Sequence, residues 1–432
     1  MNHEVRFSVY EHRLVDSDQN IIRRSFIVLK DEDGDILLWT DFHRYARGGR
    51  KVMVRNVYSD DDKRLRNIVK LLNYVFFDRY QIRTLRDIEP GMVKDFLNDY
   101  GLCRLPDDDE NVTRNKQTVT TCISHIVDFL DSVSREVPGF RTKPADLYRT
   151  EKVFDRRRKR YVDKKIPVFE VNYRPKVQPI FRDLTEEAFQ IIMSEITENH
   201  VRILMLAALS AFAGLRPAES CNVRRVDSAL GPGMRFEMCD GEVANVVIDL
   251  REEKNLRSDL VSVGGIKKAR EQKVYPAFLE VFTDCYNQYM EYMAGRKYEE
   301  DYGALTVTST GKAYTYAAYY QEFQKVIADC IPKMLASDNP KTVNYGMLLQ
   351  EHSVSPHILR HWYSVKLTLY GEDVAGLMSW RGDKSPESAL TYISNKSELV
   401  KQLETVGDQI FQYNLWRAGK IMDKKKDKQS KR

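Results

Sequence analysis

The 432-residue chain has no paired cysteines, no membrane-length apolar run and no phosphate-cradling glycine loop, and each lack closes off a class of function. Its six cysteines, Cys103, Cys122, Cys221, Cys239, Cys285 and Cys330, are scattered without a CxxC pair. That argues against a zinc ribbon or a disulfide scaffold and fits reduced thiols in the cytoplasm. The longest apolar stretch, Ile203 to Leu215, falls short of the roughly 18 residues a membrane span needs. The opening MNHEVRFSVYEHR has no apolar signal-peptide core, so a cytoplasmic protein without a membrane partner is expected. No GxxxxGK[ST] loop and no metal-ligand cluster stand out, so the expectation is no cofactor and no metal.

Positive charge is also scarce overall, at +5, but it is unevenly spread. Arg156, Arg157, Arg158, Lys159 and Arg160 form an unbroken run, and the tail after Lys420 is mostly lysine and arginine. Such clusters suit a polyanion better than a small acidic molecule. A hydrophobic share of 42% and an aromatic share of 11% are those of a folded protein, and the length calls for two or three domains.

Residues 1–58 read as a small β-rich unit: VRFSVYEHRL and RRSFIVLK are strand-like, and Asp31 to Asp35 form a turn into ILLWT. Residues 59–137 read as a helical domain. Ser59 begins it, and Leu65, Ile68, Leu72, Val75 and Phe76 make one stripe. In its last helix Val119, Cys122, Ile123, Ile126, Phe129 and Leu130 are the expected buried face. Arg114, Lys116, Gln117, Thr120 and Thr121 lie elsewhere and have the character of a phosphate-contacting surface, or simply of a wet helix face. Residues 138–180, rich in Pro, Arg and Lys, read as a basic linker. A last domain, 181–432, opens with Thr185 as N-cap ahead of Glu186 and Glu187. It is mostly helical, with EVANVVIDL as a strand and DLVSVGGIKKA and EQKVYP expected as a hairpin. The fold class is thus mainly α with small β elements (α+β).

Three stretches carry candidate chemistry. In ILMLAALSAFAGLRPAES an apolar helix ends at Gly214 and Pro217 opens the next, so Arg216 emerges at a tight junction where a guanidinium is pre-positioned for two phosphate oxygens. The ordinary alternative is an arginine that caps carbonyls or pairs with Glu219. In SVSPHILRHWYSV, His357 and Arg360 sit one turn apart at a helix N-terminus, an anion site; His361 is beside them. Zinc is a poor rival there, because no Glu follows His357 and no third ligand is evident. In GGIKKAREQKVYP, Lys267 or Lys268 is offered as a general acid.

In order, AGLRPAE, HILRH and GDKSPESALTYI resemble the arginine, His-x-x-Arg-His and tyrosine motifs of the tyrosine recombinase family, over about residues 181 to 395. Residues 59 to 135 are similar to that family's helical core-binding domain in pattern. The resemblance implies a site-specific recombinase or integrase of a phage or mobile element. Arg216 and Arg360 would bind the phosphate, His357 would assist, and Tyr392 would be the nucleophile forming a 3′-phosphotyrosine link. The family's spacing to the Val-Pro position, here Val274 of VYP, selects Lys267 as the acid. It also implies double-stranded DNA as partner, a homo-tetramer on paired sites, and accessory directionality or DNA-bending proteins. One departure stands out: where the family has histidine or tryptophan nine residues before the tyrosine, this chain has Asp383. A carboxylate cannot donate to phosphate unless protonated, so Asp383 orients a cation, or Trp380 or Lys384 takes the donor's place. The alternatives are a type IB topoisomerase-like nicking and rejoining enzyme, which uses the same residues, or a DNA-binding relative without catalysis.

Overall fold

The computed structural model describes residues 5–47, 59–108, 113–155, 159–173, 184–296, 302–383 and 386. Tyr392, Arg156, Arg157, Arg158, Lys384 and the basic tail lie outside the described residues. The chain divides into two compact units, one of residues 1–16 and 21–178, the other of residues 17–20 and 179–432.

In the first unit, β1 (Arg6–Val15), β2 (Ile21–Lys30) and β3 (Ile36–Trp39) form an antiparallel sheet. Then come α1 (Ser59–Asn73), α2 (Pro90–Gly101), α3 (Lys116–Glu136) and the single turn α4 (Pro144–Leu147). The stripes expected from helical periodicity are largely the ones buried: Leu65, Ile68 and Leu72 on α1 with Val75 in the turn that follows it, Phe76 being half-buried, and Val119, Cys122, Ile123, Ile126, Phe129 and Leu130 on α3. Asn115 caps α3, its side chain accepting from the Thr118 amide at 2.8 Å. The β-rich segment is not a domain apart. Phe7 and Ile27 of the sheet share one core with Ile68, Val75 and Phe129, so burying that face of the sheet requires the helices.

Residues 138–180 also differ from the expected linker. They contain α4 and a two-stranded antiparallel ribbon, β4 (Tyr148–Asp155) and β5 (Arg160–Pro167), in continuous register from Tyr148 opposite Pro167 to Asp155 opposite Arg160. Lys159 enters β5 with φ +49°. The ribbon's charged, solvent-facing residues leave no hydrophobic alternation to read.

The second unit is α+β: α5 (Glu186–Asn199), α6 (Leu204–Phe212), α7 (Pro217–Ser220), a β6–β7–β8 sheet (Met234–Cys239, Glu242–Leu250, Arg270–Lys273), and then α8 (Leu279–Met293), α9 (Tyr316–Leu335), α10 (Pro340–Glu351), α11 (His357–Leu369) and α12 (Val374–Arg381). Thr185 is the N-cap of α5, its hydroxyl accepting from the Ala188 amide. Every residue of α6 is buried, which makes it the spine of this core. The expected hairpin of DLVSVGGIKKA with EQKVYP does not form. Strand β8 pairs with β7 instead, Leu250 opposite Arg270, and residues 251–269 are an irregular loop between them. The loop is held to α7 at Gly264, whose backbone lies where a Cβ would strike the Ala218 carbonyl. Asn222 bridges the two carbonyls, donating to Ala218 at 2.9 Å and Gly264 at 2.8 Å.

Candidate active site

Gly214 ends the buried α6 region in a left-handed conformation, φ +64°, packed so closely under the Tyr363 ring that no side chain fits. Three residues on, Pro217 opens α7, leaving Arg216 at its N-cap position. The junction aims a guanidinium. Arg216 Nη1 donates to Glu219 at 3.1 Å and Nη2 to Asp383 Oδ1 at 2.6 Å, with a fifth of the side chain still exposed.

Arg360, on the first turn of α11, is 1% exposed. Its Nη1 donates to the Gly214 carbonyl, and its Nη2 to the Arg381 carbonyl at 2.9 Å and to Asp383 Oδ1 at 2.9 Å. Burial, reinforced by the charges of Arg216 and Arg381, pulls its pKa down to about 9, which leaves it cationic at neutral pH. Its Nε is buried with no hydrogen-bond partner among the described residues.

Asp383 is the residue these cations share. Its Oδ2 also lies 3.0 Å from Arg381 Nε, so one 8%-exposed carboxylate faces three arginines. Of the roles open to it from sequence, orienting neighbouring cations is the one its contacts match. The Trp380 ring, the rival donor, packs edge-on against Tyr275 at 5.0 Å.

Glu219 is a second buried carboxylate at the same site. It accepts from the Arg216 amide at 3.2 Å, from Arg270 at 3.2 and 2.9 Å, and from the Lys267 amide at 3.3 Å. Burial alone would raise its pKa; the Arg270 hydrogen bonds and charge, with Arg216 and Arg360, overcome that and hold it at about 2. Glu219 therefore ties the Lys267 backbone to Arg216, while the Lys267 side chain is exposed. Arg270 and Arg381 were not singled out in the sequence. Arg270 passes under Gly382 (φ +63°), where a Cβ would collide with its guanidinium, and Gln272 accepts from its Nε at 2.9 Å while donating to the Trp380 carbonyl at 2.6 Å.

His357 is half-buried, its ring edge-on to His361 at 4.9 Å. Burial first, and then His361 and three arginines, push its pKa down to about 3, so the imidazole is neutral at pH 7. The site thus gathers Arg216, Arg270, Arg360, Arg381 and the Lys267 backbone around two carboxylates, with a neutral histidine one turn from Arg360. The charge surplus suits a phosphodiester.

The candidate DNA-contacting residues of the first unit fare differently. Arg114 is corrected: it is 5% exposed, pairs with Asp108, donates to the Tyr100 carbonyl and lies 4.1 Å over the Tyr100 ring, so its charge is spent inside the fold. Lys116, Gln117 and Thr120 are exposed. With Arg64, Thr121, Ser124 and His125 they line an open recess of about 530 Å³. Lys159 and Arg160 are exposed at the tip of the β4–β5 ribbon. Glu195, His200 and Asp329 approach one another at the end of α5, but the buried Glu195 carboxylate is already engaged by Lys333 and Asn199. No helix among the described residues is long and apolar enough to cross a membrane.

No protein-family model and no curated protein matches the chain. Among solved structures the chain is similar to the XerH site-specific recombinase bound to its difH substrate, at 14% identity over 77% of this chain and 76% of that one, with a TM-score of 0.45. It is similar to the Tn1549 transposon integrase in complex with transposon right end DNA, at 15% identity over 81% and 93% of the two chains, TM-score 0.45. It is also similar to a lambda integrase dimer bound to a core site, at 12% identity over 78% and 90%, TM-score 0.41.

Proposed function

We propose that this protein is a site-specific DNA recombinase or integrase of the tyrosine type, which cuts and rejoins strands through a 3′-phosphotyrosine intermediate. One observation carries the reading: Arg216 and Arg360, from separate helices, converge on a single oxyanion, Asp383 Oδ1, at 2.6 and 2.9 Å. Two fixed guanidiniums around one acceptor oxygen are what a scissile phosphate needs, and in a partly dry site they act more strongly than on solvated arms.

In the reaction, the Tyr392 hydroxyl attacks phosphorus; the bond from its oxygen forms as the bond to the 5′-oxygen breaks. A tyrosine with pKa near 10 needs an acceptor for its proton. His357, neutral at pH 7, is the candidate acceptor, and a bound phosphate would offset the arginine charges that help to depress its basicity. Arg216 and Arg360 meet the charge growing on the non-bridging oxygens, and Lys267 gives its proton to the leaving 5′-oxygen, which departs as a hydroxyl. One phosphodiester is exchanged for another, so rejoining needs no nucleotide as energy source. Glu219 and Asp383 hold the cations in place between turnovers. Four such exchanges on two duplexes would require a tetramer, acting in the cytoplasm on the DNA of a phage or mobile element with accessory proteins setting direction.

The test is a duplex selected by binding from a random library and nicked beside the cut site, so that the released fragment diffuses away. The full-length protein should form an adduct that survives denaturing electrophoresis and is lost in Tyr392→Phe. A protein that binds its selected site and forms no adduct overturns the reading. Relaxation of any supercoiled plasmid as a monomer would replace it with topoisomerase-like nicking.

A further inference from the structure

The β4–β5 ribbon is exposed on both of its faces over its outer half. Lys152, Val153 and Phe154 of β4 and Arg160, Tyr161, Asp163 and Lys164 of β5 are all open to solvent. Phe154 and Tyr161 face each other across the ladder, rings edge-on at 5.3 Å, yet are 49% and 70% exposed. A two-stranded ribbon with no core on either side is marginal in water, and the aromatic pair at its end, though in mutual contact, keeps most of its apolar surface in solvent. The pair's mutual contact leaves about half or more of each residue open to a partner.

Its charge says what that is. Residues 148–167 hold nine Lys and Arg against three Asp and Glu, a surplus of six, while the whole chain has a surplus of only five. The remainder of the chain is therefore net −1, so this stretch of sequence, in which Arg156, Arg157 and Arg158 lie outside the described residues, holds a positive excess that the rest of the chain as a whole lacks. The register puts Phe154 and Tyr161 next to the tip, with Lys159 and Arg160 beyond them and Lys164 and Lys165 behind. Eight paired residues span about 25 Å, and two strands about 4.8 Å apart make a ribbon that enters a major groove of about 12 Å.

We propose that the β4–β5 ribbon is a DNA-groove reader: it inserts into the duplex with Phe154 and Tyr161 against base edges, while Lys159, Arg160, Lys164 and Lys165 contact the flanking phosphates. This deepens the recombinase reading and rests on its claim that duplex DNA is the partner. A ribbon carrying both apolar wedge and cations would position the protein along the duplex as well as hold it.

The experiment uses full-length protein and a fluorescent 40-base-pair duplex of mixed sequence, titrated by anisotropy from 50 to 300 mM salt. Lys159→Ala with Arg160→Ala should lower the slope of log affinity against log salt by about 2, as two phosphate contacts are lost. Phe154→Ser with Tyr161→Ser should weaken binding about tenfold with the slope unchanged, since a groove wedge releases no counterions. Both variants should keep the wild-type melting temperature within about a degree or two, because Lys159 and Arg160 are exposed and Phe154 and Tyr161 pack on each other at the solvent-exposed end of the ribbon and are not among the buried core residues. Unaltered affinity and slope in both variants, while wild type binds, overturn the ribbon proposal and leave the recombinase reading standing. A wild type that binds no duplex at all overturns the parent reading. Unchanged DNA binding with a changed molar mass in light scattering also overturns the proposal, assigning the ribbon to a protein contact instead.

Discussion

Asp383 Oδ1 accepts from Arg216 at 2.6 Å and from Arg360 at 2.9 Å, so a carboxylate oxygen stands where the two arginines proposed to bind phosphate meet. The same contact orients the forks and occupies them. On the proposed function an entering phosphate would compete with this internal anion, while Glu219 keeps its hold on Arg216 and the Gly214 and Arg381 carbonyls keep theirs on Arg360.

Asp383→Asn tests that relationship. It keeps the shape and removes the charge, leaving Arg216, Arg360 and Arg381 without their common partner. Removing one member of a buried ionic set costs about 3 to 5 kcal/mol, so thermal unfolding of the free variant should begin well below wild type. Bound duplex should then raise the variant's midpoint more than that of wild type, because a phosphate now relieves the repulsion. Equal shifts with DNA in both proteins would contradict the competition.

Lysine in place of either arginine separates binding from chemistry. Arg216→Lys and Arg360→Lys keep the charge and lose the planar fork. Cleavage of a nicked site under single-turnover conditions should fall about 100 to 1000-fold, the usual loss for one preorganised donor to a developing oxyanion. Affinity for the same duplex should change much less.

Gly382 is required by two constraints at once: a left-handed φ of +63°, and the Arg270 guanidinium lying where a Cβ would go. Gly382→Ala should therefore cost more than the roughly 1 kcal/mol of the backbone conformation alone. It should also slow strand cleavage, since displacing Arg270 loosens Glu219 and through it Arg216. Urea midpoints and cleavage rates measured together check this; Gly371→Ala, with φ +96° and open space around it, isolates the backbone part.

How much of this was visible in the sequence depends on how local each feature is. The Arg216 junction was legible because Gly214 and Pro217 are local signals, and the Thr185 cap and the α1 and α3 stripes follow from periodicity. Arg114 was misread because its partner, Asp108, lies in a preceding loop whose path no helical period describes. Arg270 joins the site because β8 pairs with β7 across an irregular loop, a non-local register that a Gly-Gly pair disguised as a local hairpin. Asp383 could be recognised as out of pattern, but its threefold partnership depends on α7, α11 and α12 meeting in space.

Acid stability follows from the titrations of His357 and Glu219. His357 is depressed from 6.5 to about 3, so between those values the unfolded chain binds a proton the folded one refuses. Stability is then full above pH 6.5 and declines as pH falls, by up to about 1.4 kcal/mol per unit. Glu219, held at about 2, adds a second loss below pH 4.5, where the unfolded carboxylate protonates first. In His357→Gln the decline from pH 6.5 to 5 should be shallower than in wild type, measured by urea unfolding at each pH. Parallel curves would show that His357 does not titrate differently in the two states.

The most direct test of the central claim is to find the residue that carries the DNA. The trapped adduct is digested with nuclease and protease and the nucleotide-bearing peptide sequenced by mass spectrometry. The account predicts a nucleotide joined through its 3′-phosphate to Tyr392, and no modified peptide in Tyr392→Phe. A link to any other side chain, or through a 5′-phosphate, would contradict it.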